Sequence, residues 1–427
     1  MDIKPFTRKE KIIVFFACAL GWAHDAIGLT LITFLVGPIA TEFNIIHFPV
    51  PIVPEFHIGI ILSAQYIATV PGAFLFGALA DKYGRKNLLL ASIAWDAILT
   101  AASAFAPNFY VFATLRILSG MGVSWGIAFA LLGEVYSPKR RAFFGGLVHA
   151  MFIIGYLGSA ISVLVLEPVL SVMFPVVWWR YLFLIALIPI PFVIWLYFAL
   201  PESRLWEKYH ELESPDKLPI GTQLREIIRK GYLKFLVIAT LIFWAAEFAY
   251  HAFVDWGPWF LGAGGIGLPG MQPTLIVMGI ALLLLIVFPL VGLLGDFIGR
   301  RRAFMVPAIL GILGTLVFAV AVLLFLPPPV LITILGLVIL ALGFSSHGLF
   351  GVWSSEIFPT RARAAANSII FSVARGVSLG AVTVGTLVLI LGIPLGQAML
   401  IGSLGFVLML LLPWLLPETK GKVLKPD

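Results

Sequence analysis

The residues that could do chemistry in this chain are a few ionisable side chains that interrupt long apolar runs. The stretch GWAHDAIGL, residues 21–29, places His24 and Asp25 inside an almost wholly apolar run from Ile12 to Ile39. A carboxylate near the centre of a bilayer costs ~3 kcal/mol or more. Asp25 is therefore a candidate proton carrier, because a buried carboxylate changes its proton affinity when its charged neighbours change.

A second set of ionisable residues occurs later in the chain. Glu247, His251 and Asp255 are spaced i, i+4, i+8, so on a helix they form one stripe. This stripe, with Trp244 close by, indicates substrate recognition or a second proton site, although Asp255 can equally lie at the wet outer end of its helix. Arg375 carries a guanidinium that suits bidentate binding of a carboxylate.

The other buried ionisable residues have structural interpretations. Asp96, early in the third apolar segment, is assigned to a cytoplasmic charge network. His149 and His347 are interpreted as satisfied structural groups, and His24 as a group that contacts nearby backbone or a hydroxyl. The alternative for Arg375 is pairing near His347 or with Glu356 at the cytoplasmic end.

Long apolar segments must position these side chains. Of the 427 residues, 61% are hydrophobic and 11% are charged, which excludes a soluble domain and predicts an all-α membrane protein rather than a barrel. Each predicted segment is long enough to cross ~30 Å of hydrocarbon. The twelve predicted transmembrane helices cover roughly 12–39, 58–80, 88–106, 109–133, 142–168, 178–200, 234–260, 273–295, 303–326, 329–353, 364–391 and 394–416.

The basic residues predict the orientation of the chain. All but three of the 28 Lys and Arg residues lie in the two terminal tails or in connections on one side. The exceptions are Arg116, Arg180 and Arg375. The positive-inside rule then places both termini in the cytoplasm, and the net charge of +7 reflects topology rather than a nucleic-acid partner.

The sequence contains an internal repeat. GALADKYGRK (77–86) matches GLLGDFIGRR (292–301), and GEVYSPKRR (133–141) echoes SEIFPTRAR (355–363). LPESR also recurs as LPETK at a similar offset. These pairs predict two pseudo-symmetric six-helix bundles, residues 1–200 and 234–427, joined by a cytoplasmic linker at 201–233.

The repeated loops are candidates for a cytoplasmic gate. Asp81 is expected to favour the N-terminus of the next helix, and Arg85 to reach Asp81, Glu134 or a neighbouring helix end. Such contacts would latch the cytoplasmic side in one state. The gate residues are Gly77, Asp81, Gly84, Arg85, Glu134, Arg141, Asp296, Arg300, Glu356 and Arg363.

At these motifs the chain resembles the major facilitator superfamily over essentially its whole length. GALADKYGRK resembles the superfamily signature between helices two and three, and LPESRLW and LPETKG resemble sugar porters. GWAHDAIGL and EIFPTRARAAANSIIFSVARG (356–376) are similar to the organic-acid branch of sialate, lactate and aromatic-acid proton symporters. That branch often has a second acid in helix one, where this chain has Gly28.

The resemblance implies roles for particular residues. Helices one and four are neighbours in the superfamily fold, so Asp25 and Arg116 are expected to pair and to form the proton switch, or alternatively a static ion pair. Arg375 matches an arginine associated with anionic substrates in the organic-acid relatives. Gln65 and Tyr66 in helix two are available for substrate binding as well.

Together these observations predict a secondary transporter that couples a small organic acid to protons by alternating access. The alternatives are a sugar or polyol proton symporter and an uncoupled facilitator. No nucleotide-binding loop, no Cys/His cluster with metal-ligand spacing and no HExxH pattern occurs, so no enzyme, cofactor or metal is expected. The predicted partners are a small-molecule substrate, protons and the lipid bilayer, and the predicted state is a monomer in the plasma or inner membrane.

Overall fold

The computed structural model describes residues 4–43, 54–213, 225, 227, 228, 231–262 and 264–425, without the side chains of 54–60, 62 and 63. The described elements are α-helical, with short 3₁₀ and π turns inside or between the helices. The helices used below are α1 Arg8–Phe34, α2 54–83, α3 Arg85–Phe105, α4 in two parts Phe109–Ser119 and Trp125–Val135, α5 Arg141–Met173, α6 Trp178–Ala199, α7 Leu233–Leu261, α8 Gln272–Ile298, α9 Arg300–Leu324, α10 Val330–Ile357, α11 Thr360–Leu391 and α12 Leu395–Leu415.

Ten of these helices, among the described residues, are long and apolar enough to cross a membrane. Their positions agree with ten of the twelve predicted spans. The predicted spans 58–80 and 109–133 fall on α2 and α4, which are not among the ten. The helix of α4 is interrupted at 120–124, a stretch that contains two glycines and a serine, which favour helix less than most residues do. The count of twelve stays a prediction.

The helices before residue 200 (the first half) pack against those after residue 233 (the second half) along α5, α4 and α2. α5 contacts α8 and α10, while α4 and α2 contact α11. Small residues permit these approaches: a Cβ on Gly146 of α5 would overlap the Phe288 carbonyl of α8. A Cβ on Gly126 of α4 would overlap Ser368 of α11. The two halves are therefore in close contact along these helices, and this contact is called the seam below.

Candidate functional site

A cavity of about 90 Å³ lies between the two halves of the chain. Its polar wall consists of His149 from α5 and of Glu247, His347 and Arg375 from α7, α10 and α11. Aromatic and aliphatic side chains, among them Trp22, form the rest of the lining. An apolar chamber with a few converging charged groups is the usual form of a small-molecule site.

Glu247 is the centre of the charged cluster at this cavity. Its carboxylate oxygens lie 3.3 Å from His251 Nε2 and 3.4 Å from His347 Nε2. Arg375 Nε lies 4.0 Å from the same carboxylate. His251 Nδ1 is 2.8 Å from Asp255 Oδ2, so the predicted stripe on α7 is confirmed as one connected row.

The histidines of this cluster have acceptors on both sides of the ring. His251 lies between two carboxylates, and His347 Nδ1 is 2.7 Å from the Phe344 carbonyl while its Nε2 faces Glu247. Ionised carboxylates only accept hydrogen bonds, so the contacts of His251 with its two carboxylates each need a proton. With His251 charged, the formal charges of Glu247, Asp255, His251 and Arg375 cancel.

Arg375 lies at the cavity wall between aromatic rings. Its guanidinium carbon is 4.8 Å from the ring centre of Tyr66 and 5.2 Å from that of Phe152. The Tyr66 ring also lies 5.6 Å from the ring of His251. The structure thus brings four predicted substrate residues together: Arg375, Glu247, His251 and Tyr66. Their role in binding substrate stays a prediction.

Two other predicted substrate residues lie elsewhere. Trp244 donates its indole N–H to the Val377 carbonyl of α11 and stacks on Phe248, and it is not part of the cavity lining. Trp244 therefore lies outside this cavity lining, and its role in binding substrate stays a prediction. Gln65 lines a second, smaller cavity beside α1.

Asp25 of α1 contacts the interrupted part of α4. Its Oδ2 accepts hydrogen bonds from the Ser124 backbone N–H (3.2 Å) and hydroxyl (2.7 Å). Arg116 instead donates to Thr100 Oγ1 (2.9 Å) and to the Gly28 carbonyl. The expected direct pair of Asp25 and Arg116 is therefore wrong, because the break at 120–124 brings Ser124 to Asp25.

Arg116 is connected to a different carboxylate, Asp96. Thr100 Oγ1 donates to Asp96 Oδ1 at 3.0 Å, and His24 Nδ1 lies 3.0 Å from Asp96 Oδ2. The other nitrogen of His24 is 3.1 Å from the Ala186 carbonyl. Assigning Asp96 to the cytoplasmic charge network is wrong, because eleven residues of α3 precede it, about 16 Å of helix.

The repeated loops meet on one side of the molecule, called here the basic face and formed by 81–87, 134–141, 296–302 and 354–363. In the first copy the Asp81 carboxylate accepts from the backbone N–H groups of Ala364 and Ala365 at the start of α11. Arg85 lies 3.1 Å from Asp81 and 3.2 Å from Glu134. Asp81 thus binds the N-terminus of α11 in the second half, not that of the next helix as expected.

The second copy repeats this geometry with the halves exchanged. Asp296 accepts from the backbone N–H groups of Ala142 (3.2 Å) and Phe143 (3.0 Å) at the start of α5. Arg300 lies 3.0 Å from Asp296 and 2.8 Å from Glu356. Each aspartate therefore places its charge at the positive end of a helix from the opposite half.

Two further ion pairs cross the seam at the basic face. Arg363 of the second half bonds to Glu134 of the first. Arg141 of the first half lies 3.0 Å from Glu356 of the second. A Cβ on Gly77 would lie 3.0 Å from the backbone of Ala365, so the chains also approach closely there. The seam is closed at this face.

Both copies use a glycine with left-handed φ and a glutamate that caps the following helix. Gly84 has φ +104° and Gly299 has φ +98°, a region that other residues adopt only with strain. Glu202 accepts from the backbone of Arg85, and burial, the largest influence, raises its pKa. Burial also favours a higher pKa for Glu418, but backbone N–H donors, led by that of Arg300, outweigh it and lower the pKa.

Many apolar helices, a polar cavity between two halves and a seam closed at one face are the features of a membrane transporter. The sequence profile of the Major Facilitator Superfamily matches residues 13–381. The chain belongs to this superfamily and is a transporter rather than an enzyme.

Similar proteins agree with this assignment. The chain is 26% identical over 416 residues to a probable 4-methylmuconolactone transporter of Cupriavidus pinatubonensis, covering 95% of this chain and 90% of the relative. It is 25% identical over 375 residues to the sialic acid transporter NanX of Escherichia coli, covering 87% and 84%. The proton:xylose symporter XylE bound to 6-bromo-6-deoxy-D-glucose superimposes with a TM-score of 0.78 at 17% identity, covering 98% of both chains.

Proposed function

We propose that this protein is a proton-coupled symporter of a small organic acid that works by alternating access. The observation that carries the proposal is the cluster of Glu247 with His251, His347 and Arg375 at the cavity between the halves. It offers several hydrogen-bond donors on cationic or protonatable groups in an apolar chamber. A carboxylate is the ligand that such donors bind most strongly.

Charge balance links the acid to a proton at this site. The formal charges of Glu247, Asp255, His251 and Arg375 cancel, so an anionic substrate alone would leave a buried negative charge. Entry of the anion together with one proton keeps the interior of the protein neutral, and uncompensated buried charge is costly. The names of the relatives that transport sialic acid and 4-methylmuconolactone support an acid or lactone as the substrate class.

The proposed coupling proton resides on Asp25, in the first half. Arg116 acts on this carboxylate at a distance, through the Gly28 carbonyl on α1 and through Thr100 to Asp96. Movement of α4 relative to α1 would change the charge environment of Asp25. Asp25, an ionisable residue within an apolar run, then has a function, because its carboxylate takes up and releases a proton in each transport cycle.

The proposed cycle moves residues 1–200 against residues 234–427, with 201–233 as the linker. Twelve spans, with both termini in the cytoplasm of a monomer in the plasma or inner membrane, complete the proposal. The ten gate residues hold the basic face closed in the state described here. Opening requires that Asp81 and Asp296 leave the helix ends of the opposite half.

Uptake into proteoliposomes with an imposed proton gradient tests this function. A panel of carboxylates, including sialic acid and a muconate, is compared with xylose and a polyol for the unaltered protein and Arg375→Ala. Accumulation of a carboxylate that fails in Arg375→Ala supports the proposal. Accumulation of sugars alone favours the sugar symporter, and entry without a proton requirement favours the facilitator.

A further inference from the structure

The helix α11 is broken directly after Arg375. Its two parts are Arg363–Gly376 and Gly380–Leu391. Between them Leu379 has φ +54°, the one positive φ outside glycine among the described residues. A leucine adopts this left-handed conformation only with strain, and strained backbone persists only where its surroundings hold it. The break therefore needs contacts that keep it in place.

Two tryptophans of α7 bind the backbone on either side of the break. Trp244 Nε1 donates a hydrogen bond of 2.8 Å to the Val377 carbonyl. Trp256 Nε1 donates one of 3.0 Å to the Ala381 carbonyl. In a continuous helix the Val377 carbonyl accepts from the backbone N–H four residues further on. The indole of Trp244 thus supplies the donor that the break removes.

The break depends on these donors because packing leaves it partly uncovered. The side chains of Val377 and Leu379 are 46% and 57% exposed. α11 is one of the helices long and apolar enough to cross a membrane, where no water satisfies a carbonyl released from a helix. A Cβ on Gly380 would overlap the Phe248 carbonyl, so the second part of α11 lies directly against α7. The two indole N–H groups therefore hold the break against α7.

The backbone at the break determines where Arg375 lies. Arg375 is in the last turn of the first part of α11. On one side, a Cβ on Gly376 would lie 3.0 Å from the Tyr66 carbonyl of α2, and the Tyr66 ring centre is 4.8 Å from the guanidinium carbon of Arg375. On the other side, Glu247 lies about one turn from Trp244 on α7, and its carboxylate is 4.0 Å from Arg375 Nε. The place of Arg375 between α2 and α7 thus depends on the backbone that Trp244 binds.

We propose that Trp244 and Trp256 are positioning residues, which hold the break in α11 so that Arg375 faces the central cavity. Neither indole belongs to the lining of that cavity, so both act through α11 rather than by contact with the substrate. The inference deepens the proposed function and rests on it for the ligand, a carboxylate bound by Arg375.

The strain at Leu379 permits a specific test of this role. Glycine adopts positive φ at no steric cost, so Leu379→Gly keeps the break without the indole bond. Leu379→Ala also removes the leucine side chain, but it keeps the strain, and alanine favours a continuous helix. Combined with Trp244→Phe, Leu379→Gly should therefore restore the break, whereas Leu379→Ala should not.

Spin labels on the second half measure whether the indoles hold the break. Leu331 of α10 and Leu389 of α11 are exposed, and each is replaced by a spin-labelled cysteine in a Cys18→Ser background. Because both labels lie in the same half, their distance does not report separation of the two halves. Double electron–electron resonance on the purified full-length protein should give one distance for the parent. Trp244→Phe should add a second distance, which Leu379→Gly removes and Leu379→Ala does not.

Uptake kinetics in proteoliposomes measure whether the break positions Arg375. Trp244→Phe and Trp256→Phe should each raise the KM for a transported carboxylate about fivefold, because the lost hydrogen bond lets the guanidinium leave its binding geometry. The maximum rate should stay within about twofold, whereas a loss of folded protein would lower the maximum rate and leave the KM unchanged. The matched control, Trp95→Phe, removes an indole bond of 2.9 Å to the Leu118 carbonyl in the first half. It should change neither value by more than about twofold.

Three outcomes overturn the inference. These are one unchanged distance in both Trp244→Phe and Trp256→Phe, a second distance without a change in KM, and equal rescue by Leu379→Ala and Leu379→Gly. Failure of the proposed function is seen instead in the unaltered protein, as uptake of xylose without uptake of any carboxylate. The spin-label distances then decide this inference alone, since they need no substrate.

Discussion

Replacement of Asp81 by asparagine should open the basic face. The Asp81 carboxylate accepts hydrogen bonds of 3.1 and 2.8 Å from Ala364 and Ala365, at the start of α11, and lies 3.1 Å from Arg85. All of this side chain is buried. Asparagine keeps one acceptor oxygen but loses the charge, so the variant weakens the contact between the halves without changing its shape.

The expected magnitude follows from these contacts. A hydrogen bond to a charged group contributes ~1.5–3 kcal/mol, and a carboxylate at a helix N-terminus adds up to ~2 kcal/mol in a partly buried site. Asp81→Asn loses one of these hydrogen bonds and the negative charge on the acceptor of the other. This destabilises the closed state by about 2–4 kcal/mol. At 1.4 kcal/mol per factor of ten, the open population rises roughly 30- to 700-fold.

Labelling of a single cysteine measures this population. Cys18, the only cysteine, is buried and is replaced by serine, and Ser355→Cys provides the reporter. Ser355 is fully buried in the seam, where a Cβ on Gly133 would lie 2.7 Å from its hydroxyl. Reaction with a membrane-impermeant maleimide applied to the basic face then follows the fraction of open molecules.

Asp296→Asn should accelerate labelling by a similar factor, because Asp296 binds the start of α5 in the same way. The matched control is Glu211→Gln, which removes an exposed ion pair with Lys208 and should change the rate less than twofold. Rates within twofold of the parent for both aspartate variants would refute the claim that these carboxylates hold the seam closed.

The remaining predictions concern transport and packing. Arg375→Ala should raise the KM for a transported carboxylate about 30-fold or more, because charge-assisted hydrogen bonds to the anion are lost, and Arg375→Lys should have an intermediate KM. Initial uptake rates in proteoliposomes measure the KM, and an unchanged value would contradict this role. Asp25→Asn should lose accumulation driven by a proton gradient but keep exchange of substrate across the membrane, and accumulation against a gradient would contradict the role of Asp25. Gly126→Ala should speed labelling of the cysteine at position 355, because the added methyl group overlaps Ser368 when the seam is closed. Gly158→Ala is the control, since its methyl group would meet nothing within 4 Å. Equal labelling rates in the two variants would contradict this prediction.

Hydropathy and charge were sufficient to predict much of the architecture. The ten long apolar helices follow from uninterrupted runs, and the meeting of the four repeated loops on one face follows from the distribution of Lys and Arg. The stripe of Glu247, His251 and Asp255 follows from helical spacing alone. These features depend on local sequence, so no knowledge of tertiary packing was needed.

The partners of buried groups depend on packing and could not be read from spacing. The break in α4 separates Asp25 from Arg116, and its consequence for the pair appears only when α1 and α4 are placed together. The depth of Asp96 and its contact with His24 were missed, although Gly28 was a signal, since its missing side chain admits the Asp96 carboxylate.

Two histidines that the sequence alone interprets as structural groups lie together at the central cavity. His149 and His347 come from α5 and α10, far apart in sequence, and their rings lie 5.7 Å apart at the central cavity. His347 also faces Glu247. Sequence reasoning treats each histidine alone, whereas the packing of α5 against α10 brings the pair to the proposed substrate site.

Proton movement on addition of substrate is the most direct test of carboxylate symport coupled to protons through Asp25. Proteoliposomes containing the unaltered protein or Asp25→Asn are placed in weakly buffered medium, and a carboxylate is added outside while the external pH is recorded. Coupling through Asp25 predicts alkalinisation that saturates with the carboxylate, is absent with xylose, and is lost in Asp25→Asn. Carboxylate entry without a pH change, at the same rate in Asp25→Asn, would show that transport is not coupled to protons through Asp25.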